Sequence, residues 1–488
     1  MNVAANVPNG RNVTERTFTW TGPPSCHSMV AQIMLRYGFR RDDAVPYVRI
    51  ALTQEEDWSL RVTAGGQTVA ARHRLPDRAR AGRALQDAMS ALTGQPLGAW
   101  GYLIGMRPSK VLHPFFAAED YDAAARAFLE EARVAPHERE LLLEIGALQR
   151  EYVATDRQEV ARRAAVYIGI PLCPSHCSYC SFPARIASPT EDWQRLTDDL
   201  CRDVVRAGEL MKRQRLTADS IYYGGGTPTV LPAPYFERLL QTVADALPQA
   251  AEYTVEAGRP DTIDDDKLHA MIRTGVTRIS INPQTLQDRL LVRIHRAHSA
   301  ADVEQMYRAV RALPFTSVNM DLIAGLPGQT VADMRENIAT LIGWRPENIT
   351  VHTLAIKRHS PLAAAGAAQL PSAADVATMQ RESETALRAA GYLPYYIYRQ
   401  KYMTADLANI GYTLPGHVCR YNIQMMAERM HIVGIGPGAT NKVLRNEAFQ
   451  FARCYFPWDA DVYHDRQEDY MNQRDDLFAS YMTKGERV

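Results

Sequence analysis

The chain has 488 residues, enough for a barrel-sized domain and one or two smaller ones. Lys plus Arg equal Asp plus Glu at 55 each, with 46% of residues apolar and 23% charged, so no net field steers this globular composition toward nucleic acid or a membrane surface. Seven cysteines are too sparse for a disulfide framework, the first ten residues lack the plan of a signal peptide, and no apolar run is long enough to span a bilayer; the expected compartment is a reducing cytoplasm.

Residues 1–105 read as a small α+β domain. Phe18–Thr21, Tyr47–Leu52 and Trp58–Thr63 carry strand signals, and Ala64-Gly-Gly-Gln67 turns the chain into a further strand over 68–72. A helix is expected over Ala79–Leu92, and Cys26-His27 is expected to be packing or surface. Residues 106–160 read as a helical connector, with an amphipathic stretch over Glu138–Tyr152. In Gly105-Met-Arg-Pro-Ser-Lys110, Arg107 and Lys110 either meet a substrate carboxylate or open a helix with Pro108 in its first turn.

From 161 to 355 strands and helices alternate. Strands are expected at Val166–Ile170, Ser220–Tyr223, Tyr253–Glu256, Arg278–Asn282, Ser317–Ile323 and Ile349–Leu354. Helices are expected between them at Trp193–Lys212, Pro234–Ala246, Asp264–Ile272, Ala301–Ala312 and Ala332–Leu341. Six βα units imply an α/β fold, a partial (β/α)6 TIM-type barrel, with functional residues at the carboxyl ends of its strands. A flat doubly wound sheet has the same pattern. Residues 356–488 are expected to form a mostly helical extension, with the polar tail from Asp459 peripheral.

The first barrel strand runs into Cys173-Pro-Ser-His-Cys177-Ser-Tyr-Cys180. Three thiolates at this spacing can hold three irons of a cubane and leave the fourth open; a zinc site using His176 is the alternative. Gly224-Gly-Gly-Thr-Pro228 follows the second strand without the Lys-Ser/Thr of a Walker loop. Glu256 and Gln284 end the next two strands, and Asp321 lies within the fifth, where a carboxylate is costly unless paired or bound. Arg296 is a candidate charge partner for Glu256.

The cysteine spacing, with Tyr179 before its last member, resembles the signature of radical S-adenosylmethionine enzymes. The run Val166–Thr353 resembles their oxygen-independent coproporphyrinogen III dehydrogenases, the HemN group. Tyr167-Ile-Gly-Ile-Pro, Val255-Glu-Ala-Gly-Arg-Pro-Asp-Thr262, Val351-His-Thr-Leu-Ala-Ile-Lys-Arg358 and Tyr398-Arg-Gln-Lys401 are similar to the HemZ branch. The resemblance implies a [4Fe-4S] cluster on Cys173, Cys177 and Cys180, and one or two S-adenosylmethionine molecules. These would sit among Tyr167, Tyr179, Phe182, Gly224, Gly225, Gly226, Thr227, Glu256, Gln284, Arg296 and Asp321. It implies no catalytic residue beyond the cluster and cofactor sites.

The implied reaction takes coproporphyrinogen III to protoporphyrinogen IX in haem biosynthesis. A 5′-deoxyadenosyl radical removes a propionate β-hydrogen, and loss of carbon dioxide and an electron leaves a vinyl group. Lys357, Arg358, Arg399 and Lys401 are the expected anchors for the propionates of this tetrapyrrole. A flavodoxin- or ferredoxin-type protein is the expected reductant. Relatives that hand on haem, methylate or cyclopropanate other substrates, or degrade haem supply the alternatives; in a haem-binding chaperone His295, His298, His352, His359 or His417 would be the axial ligand. HemN proper differs at two positions beside the cluster, with His in place of Gly169 and Cys in place of Phe182.

Overall fold

The computed structural model describes residues 16–482 apart from 45, 55–57, 74–77, 106, 357–359, 363–368, 401–402, 404–406 and 446–447. The chain divides into two compact units, one formed by Met1–Pro108 with Ala118–Leu143 and the other by Ser109–Ala117 with Glu144–Val488. The stretch 106–160, expected as a connector, is thus shared between them. Among the described residues no helix is long and apolar enough to cross a membrane.

The first unit holds a five-stranded sheet ordered Arg40–Arg41, Thr17–Thr21, Val48–Gln54, Trp58–Ala64, Gln67–His73. Gly65 and Gly66 close its hairpin with φ of 53° and 82°, the left-handed pair that a tight two-residue turn requires. Phe18, Ile50 and Val62 bury one face against Leu85 and Met89 of the helix Arg78–Thr93. A second helix, His27–Arg36, buries Met29, Val30, Ile33 and Met34. Cys26 packs in the same core.

The second unit is built on one eleven-stranded sheet. Its strands are β1 (Arg163–Ile170), β2 (Thr217–Gly225), β3 (Glu252–Gly258), β4 (Arg278–Gln284), β5 (Ser317–Ala324), β6 (Asn348–Thr353), β7 (Leu393–Tyr398), β8 (Asn409–Thr413), β9 (His431–Ile435), β10 (Thr440–Leu444) and β11 (Phe451–Tyr455). The spatial order is β7-β8-β6-β5-β4-β3-β2-β1-β9-β10-β11. Strands β1 to β6 run parallel in sequence order, with the helices Trp193–Arg213, Ala233–Ala246, Asp265–Arg273, Ala300–Arg311 and Val331–Trp344 between them. This is the expected partial (β/α)6 arrangement. Ser299–Asp302 and Thr330–Asp333 form capping boxes that satisfy the first amides of two of these helices.

The C-terminal region contains the helices Ala373–Ala389, Arg420–Ala427, Ala460–Asp465 and Gln467–Met482, but it also supplies β7 to β11, which extend both edges of the parallel sheet. Those strands are short, and β7 to β10 have glycine within or near them, so their alternation is weak in sequence. The tail is not peripheral. Arg474 and Phe478 have no exposed surface, and Arg474 pairs with the equally buried Asp203 because a charge removed from water needs an opposite charge.

Candidate cofactor site

Strand β1 ends at Ile170, and the three cysteines follow on one partly exposed loop. Leu172–Cys173 pairs with Arg185–Ile186, which ties the two ends of the loop together. At the end of β2, the Gly226 amide donates to the Ile170 carbonyl at 2.8 Å and the Thr227 amide to that of Leu172 at 2.7 Å. A Cβ at residue 226 would stand 2.3 Å from the Leu172 oxygen, so only glycine permits this approach. The contact brings the Thr227 hydroxyl within 3.6 Å of Cys173 Sγ.

Arg296 closes the loop from the other side. One guanidinium nitrogen donates to the Tyr179 hydroxyl at 3.2 Å and lies 3.8 Å from Cys177 Sγ; the other donates to the carbonyls of Gly258 and Asn282. Arg296 therefore serves the cysteine loop, and the expected charge pair with Glu256 is not formed. Its place twelve residues past Gln284 made that pair plausible, but Arg296 follows the left-handed His295, and the Ser178 amide on the Ile294 carbonyl at 3.1 Å holds this turn against the cysteine loop.

Period-two alternation places a polar row on one face of the parallel strands: Tyr167, Tyr222, Gly224, Glu256, Asn282, Asn319, Asp321 and His352. Glu256 accepts from Asn282 Nδ2 at 3.1 Å and from the Tyr222 hydroxyl at 3.4 Å. Burial, then the negative charge of Asp321, pushes its carboxyl up to about 7. Burial also works against the Asp321 carboxylate, but His352 Nε2 at 3.4 Å and the hydrogen bonds of Asn319 and Thr350 hold it below its usual range. Tyr398 completes this group, its hydroxyl 3.2 Å from His352 Nδ1. Tyr421, from the helix Arg420–Ala427, stacks on Tyr222 at 4.3 Å and lies 6.3 Å from Tyr167.

Gln284 ends β4 with φ of 67°, and its buried Oε1 has no partner. A strained residue presenting an unpaired acceptor, beside an arginine whose Nε is also unpartnered, fits a site shaped for a polar ligand. The three thiols and this row fit an iron–sulfur cluster with one open iron and an amino-acid ligand on it.

The structure thus brings together Cys173, Cys177, Cys180, Tyr167, Tyr179, Gly224, Gly225, Gly226, Thr227, Glu256, Gln284, Arg296 and Asp321 around the strand ends. Phe182 sits against Trp458. Lys357, Arg358, Lys401 and His359 lie outside the described residues, and Arg399 is half-buried. Lys110 is engaged by Glu428 at 2.9 Å. Of the histidines weighed as axial ligands, His298 is buried, His295 is exposed, and His417 Nδ1 meets the Ser317 hydroxyl. Tyr222, Asn282 and Tyr421 join the site without having been expected there, as do Tyr398, known only from a motif, and His352, weighed only as an axial haem ligand. Tyr222 and Asn282 carry a signal in sequence, each two residues along its strand from an expected site residue, Gly224 and Gln284.

Residues 167–341 match the radical SAM superfamily. Over 381 residues the chain is 34% identical to the oxygen-independent coproporphyrinogen-III oxidase-like protein HemZ of Bacillus subtilis, covering 77% of this chain and 76% of that one. It is 32% identical over 285 residues to the heme chaperone HemW of Escherichia coli, covering 57% of this chain and 70% of that one. Among solved structures, the radical SAM coproporphyrinogen III oxidase HemN of Escherichia coli has the same fold, with a TM-score of 0.54 at 20% identity over 64% of this chain and 70% of that chain.

Proposed function

Because the chain belongs to the HemN-like radical SAM family, in its HemZ branch, whose cofactors are a [4Fe-4S] cluster and S-adenosylmethionine, we propose that it decarboxylates coproporphyrinogen III oxidatively to protoporphyrinogen IX. Bound together, cluster and cofactor supply a 5′-deoxyadenosyl radical, the hydrogen acceptor needed to turn a propionate into vinyl, carbon dioxide and one electron for an external acceptor. The unpaired buried Gln284 Oε1, on the strained end of β4, is the observation that carries a ligand-binding reading of these strand ends.

In this reading Cys173, Cys177 and Cys180 hold three irons. Thr227 and Arg296 donate toward Cys173 and Cys177, and such bonds to sulfur tune a cluster. Gly225 and Thr227 seat the methionyl amino group. Glu256, Gln284 and Asp321 take the ribose and the remaining polar groups. Tyr167, Tyr179 and the stacked pair Tyr222–Tyr421 line the site with rings that exclude water. Arg399, with Lys357, Arg358 and Lys401, anchors the substrate propionates. A small flavodoxin- or ferredoxin-type carrier supplies electrons.

Anaerobic incubation with coproporphyrinogen III, reductant and S-adenosylmethionine tests this. Vinyl product with 5′-deoxyadenosine is the expected result. The likeness to HemW favours a second reading, a haem chaperone. Stoichiometric haem binding without turnover would establish that reading and overturn the first, and methylated or ring-opened product would overturn both.

A further inference from the structure

The two positions that depart from HemN proper, Gly169 and Phe182, both meet one C-terminal segment. A Cβ at residue 169 would stand 2.5 Å from the Pro437 carbonyl oxygen, so the loop Gly436–Gly438 occupies the space a side chain there would need. That loop is fixed from below. The Gly436 amide donates to Asp203 Oδ2 at 2.8 Å, and Asp203 is itself held by Arg474 and by the Tyr463 hydroxyl at 2.6 Å.

Gly438, with φ of 75°, carries the Trp458 indole directly on its backbone; a Cβ there would be 2.3 Å from Trp458 Cε3. The Gly438 amide donates to the Pro457 carbonyl at 2.7 Å, which pins the approach to the indole. Trp458 then meets the Phe182 ring edge to face, centroids 4.9 Å apart and planes at 89°. Phe182 in turn sends its amide 3.4 Å to Cys180 Sγ. A continuous path therefore runs from a buried ion pair, through two glycines and an indole, to one thiol of the cysteine loop. Trp458 keeps 41% of its surface exposed, so it meets solvent on one side while meeting Gly438 and Phe182 on the other.

We propose that Trp458 is a positioning residue for the cluster loop, holding Phe182 over Cys180 so that its amide stays on the sulfur and water is kept from it. This rests on the reading of Cys180 as an iron ligand. Donors to sulfur and access of solvent both govern the electronic state and lability of such centres.

The test compares wild type, Trp458→Ala, Trp458→Leu and Trp458→Phe after anaerobic reconstitution. Loss of the brown absorbance is followed in air-saturated buffer and with an iron chelator, and the dithionite-reduced proteins are examined by electron paramagnetic resonance. Trp458→Ala and Trp458→Leu should bleach on the order of tenfold faster and show a shifted resonance signal. Trp458→Phe, which keeps an aromatic partner for Phe182, should return both toward wild type. Leucine fills the space on Gly438 without offering a ring, so a folded Leu variant carries the test if the Ala variant does not fold. Equal bleaching and identical spectra in all four proteins would overturn the inference and leave the cysteine assignment standing. A wild type that assembles no cluster would overturn both.

Discussion

Glu256 and Asp321 share one face of the sheet with a single strand between them, yet their surroundings move their protons in opposite directions. Asp321 has His352 at 3.4 Å with the hydrogen bonds of Asn319 and Thr350, while Glu256 has only neutral donors and faces the Asp321 charge. Folding raises the Glu256 carboxyl from 4.5 to about 7, so its stabilising contribution is complete below pH 4.5 and is lost as pH rises through about 7. Asp321, lowered, contributes above its unfolded value of 3.8 and loses that contribution in acid. Glu256→Gln, which cannot ionise, should therefore gain on wild type between pH 5 and pH 8 by about 1–3 kcal/mol in the cluster-free protein. Urea unfolding at the two pH values checks this; a constant difference between the two proteins would refute it. The thiols give a second residue-scale prediction. Cys173→Ala, Cys177→Ala and Cys180→Ala should each lose the brown cluster absorbance, whereas Cys201→Ala, on the helix behind β2 with Thr242 as its partner, should keep it.

The helix Arg420–Ala427 shows how an element is placed by one buried group. Glu252, at the start of β3, accepts the amides of Arg420 and Tyr421 at 2.8 and 3.1 Å and lies 3.5 Å from the guanidinium of buried Arg278. A carboxylate at a helix N-terminus satisfies donors that have no partner in the helix itself. Glu252→Ala leaves Arg278 buried without its counter-charge, so a loss of about 3–5 kcal/mol is expected in denaturant unfolding. The change should also loosen Tyr421 from Tyr222 and weaken S-adenosylmethionine binding. An unfolding midpoint equal to wild type would refute the role. This helix was not legible in the sequence, because nothing local announces a cap supplied from a strand about 170 residues earlier. Strands β1 to β6 were legible to within three residues, since strand and helix periods alternate through them. The site divides in the same way. Cys173, Gly225 and Asp321 stand out from their local sequence as residues of unusual type or spacing. Tyr222, Asn282 and Tyr421 are ordinary in sequence and join the site only through sheet register and a distant helix.

At the scale of the whole molecule, strand and helix signals over residues 1–105 read as one domain, but the first unit is discontinuous and also takes in Ala118–Leu143. The ties within that unit are specific. The Tyr102 amide donates to the Ala132 carbonyl and the Ala135 amide to that of Ala99, each at 2.8 Å, and Arg83 pairs with Glu131 at 2.6 Å. A chain beginning at residue 106 would keep Ala118–Leu143, with the Tyr121 hydroxyl on the Leu143 carbonyl, but lose the first segment of the unit and these ties to it. Ala132 and Val134, buried where these bonds form, would lose the chain Ala99–Tyr102 that lies against them, and apolar surface newly exposed in this way drives association. The shortened chain should bind an apolar fluorescent dye and aggregate at concentrations where the full chain does neither. Strands β1 to β6 and the cysteine loop all lie in the second unit, so whatever fraction stays in solution should still take up iron and sulfide and turn brown. Light scattering and dye fluorescence read the first outcome and absorbance after reconstitution the second. A shortened chain that is monomeric and silent to the dye would show that Ala118–Leu143 is stable without Met1–Pro108 and that the discontinuous unit carries no energetic weight.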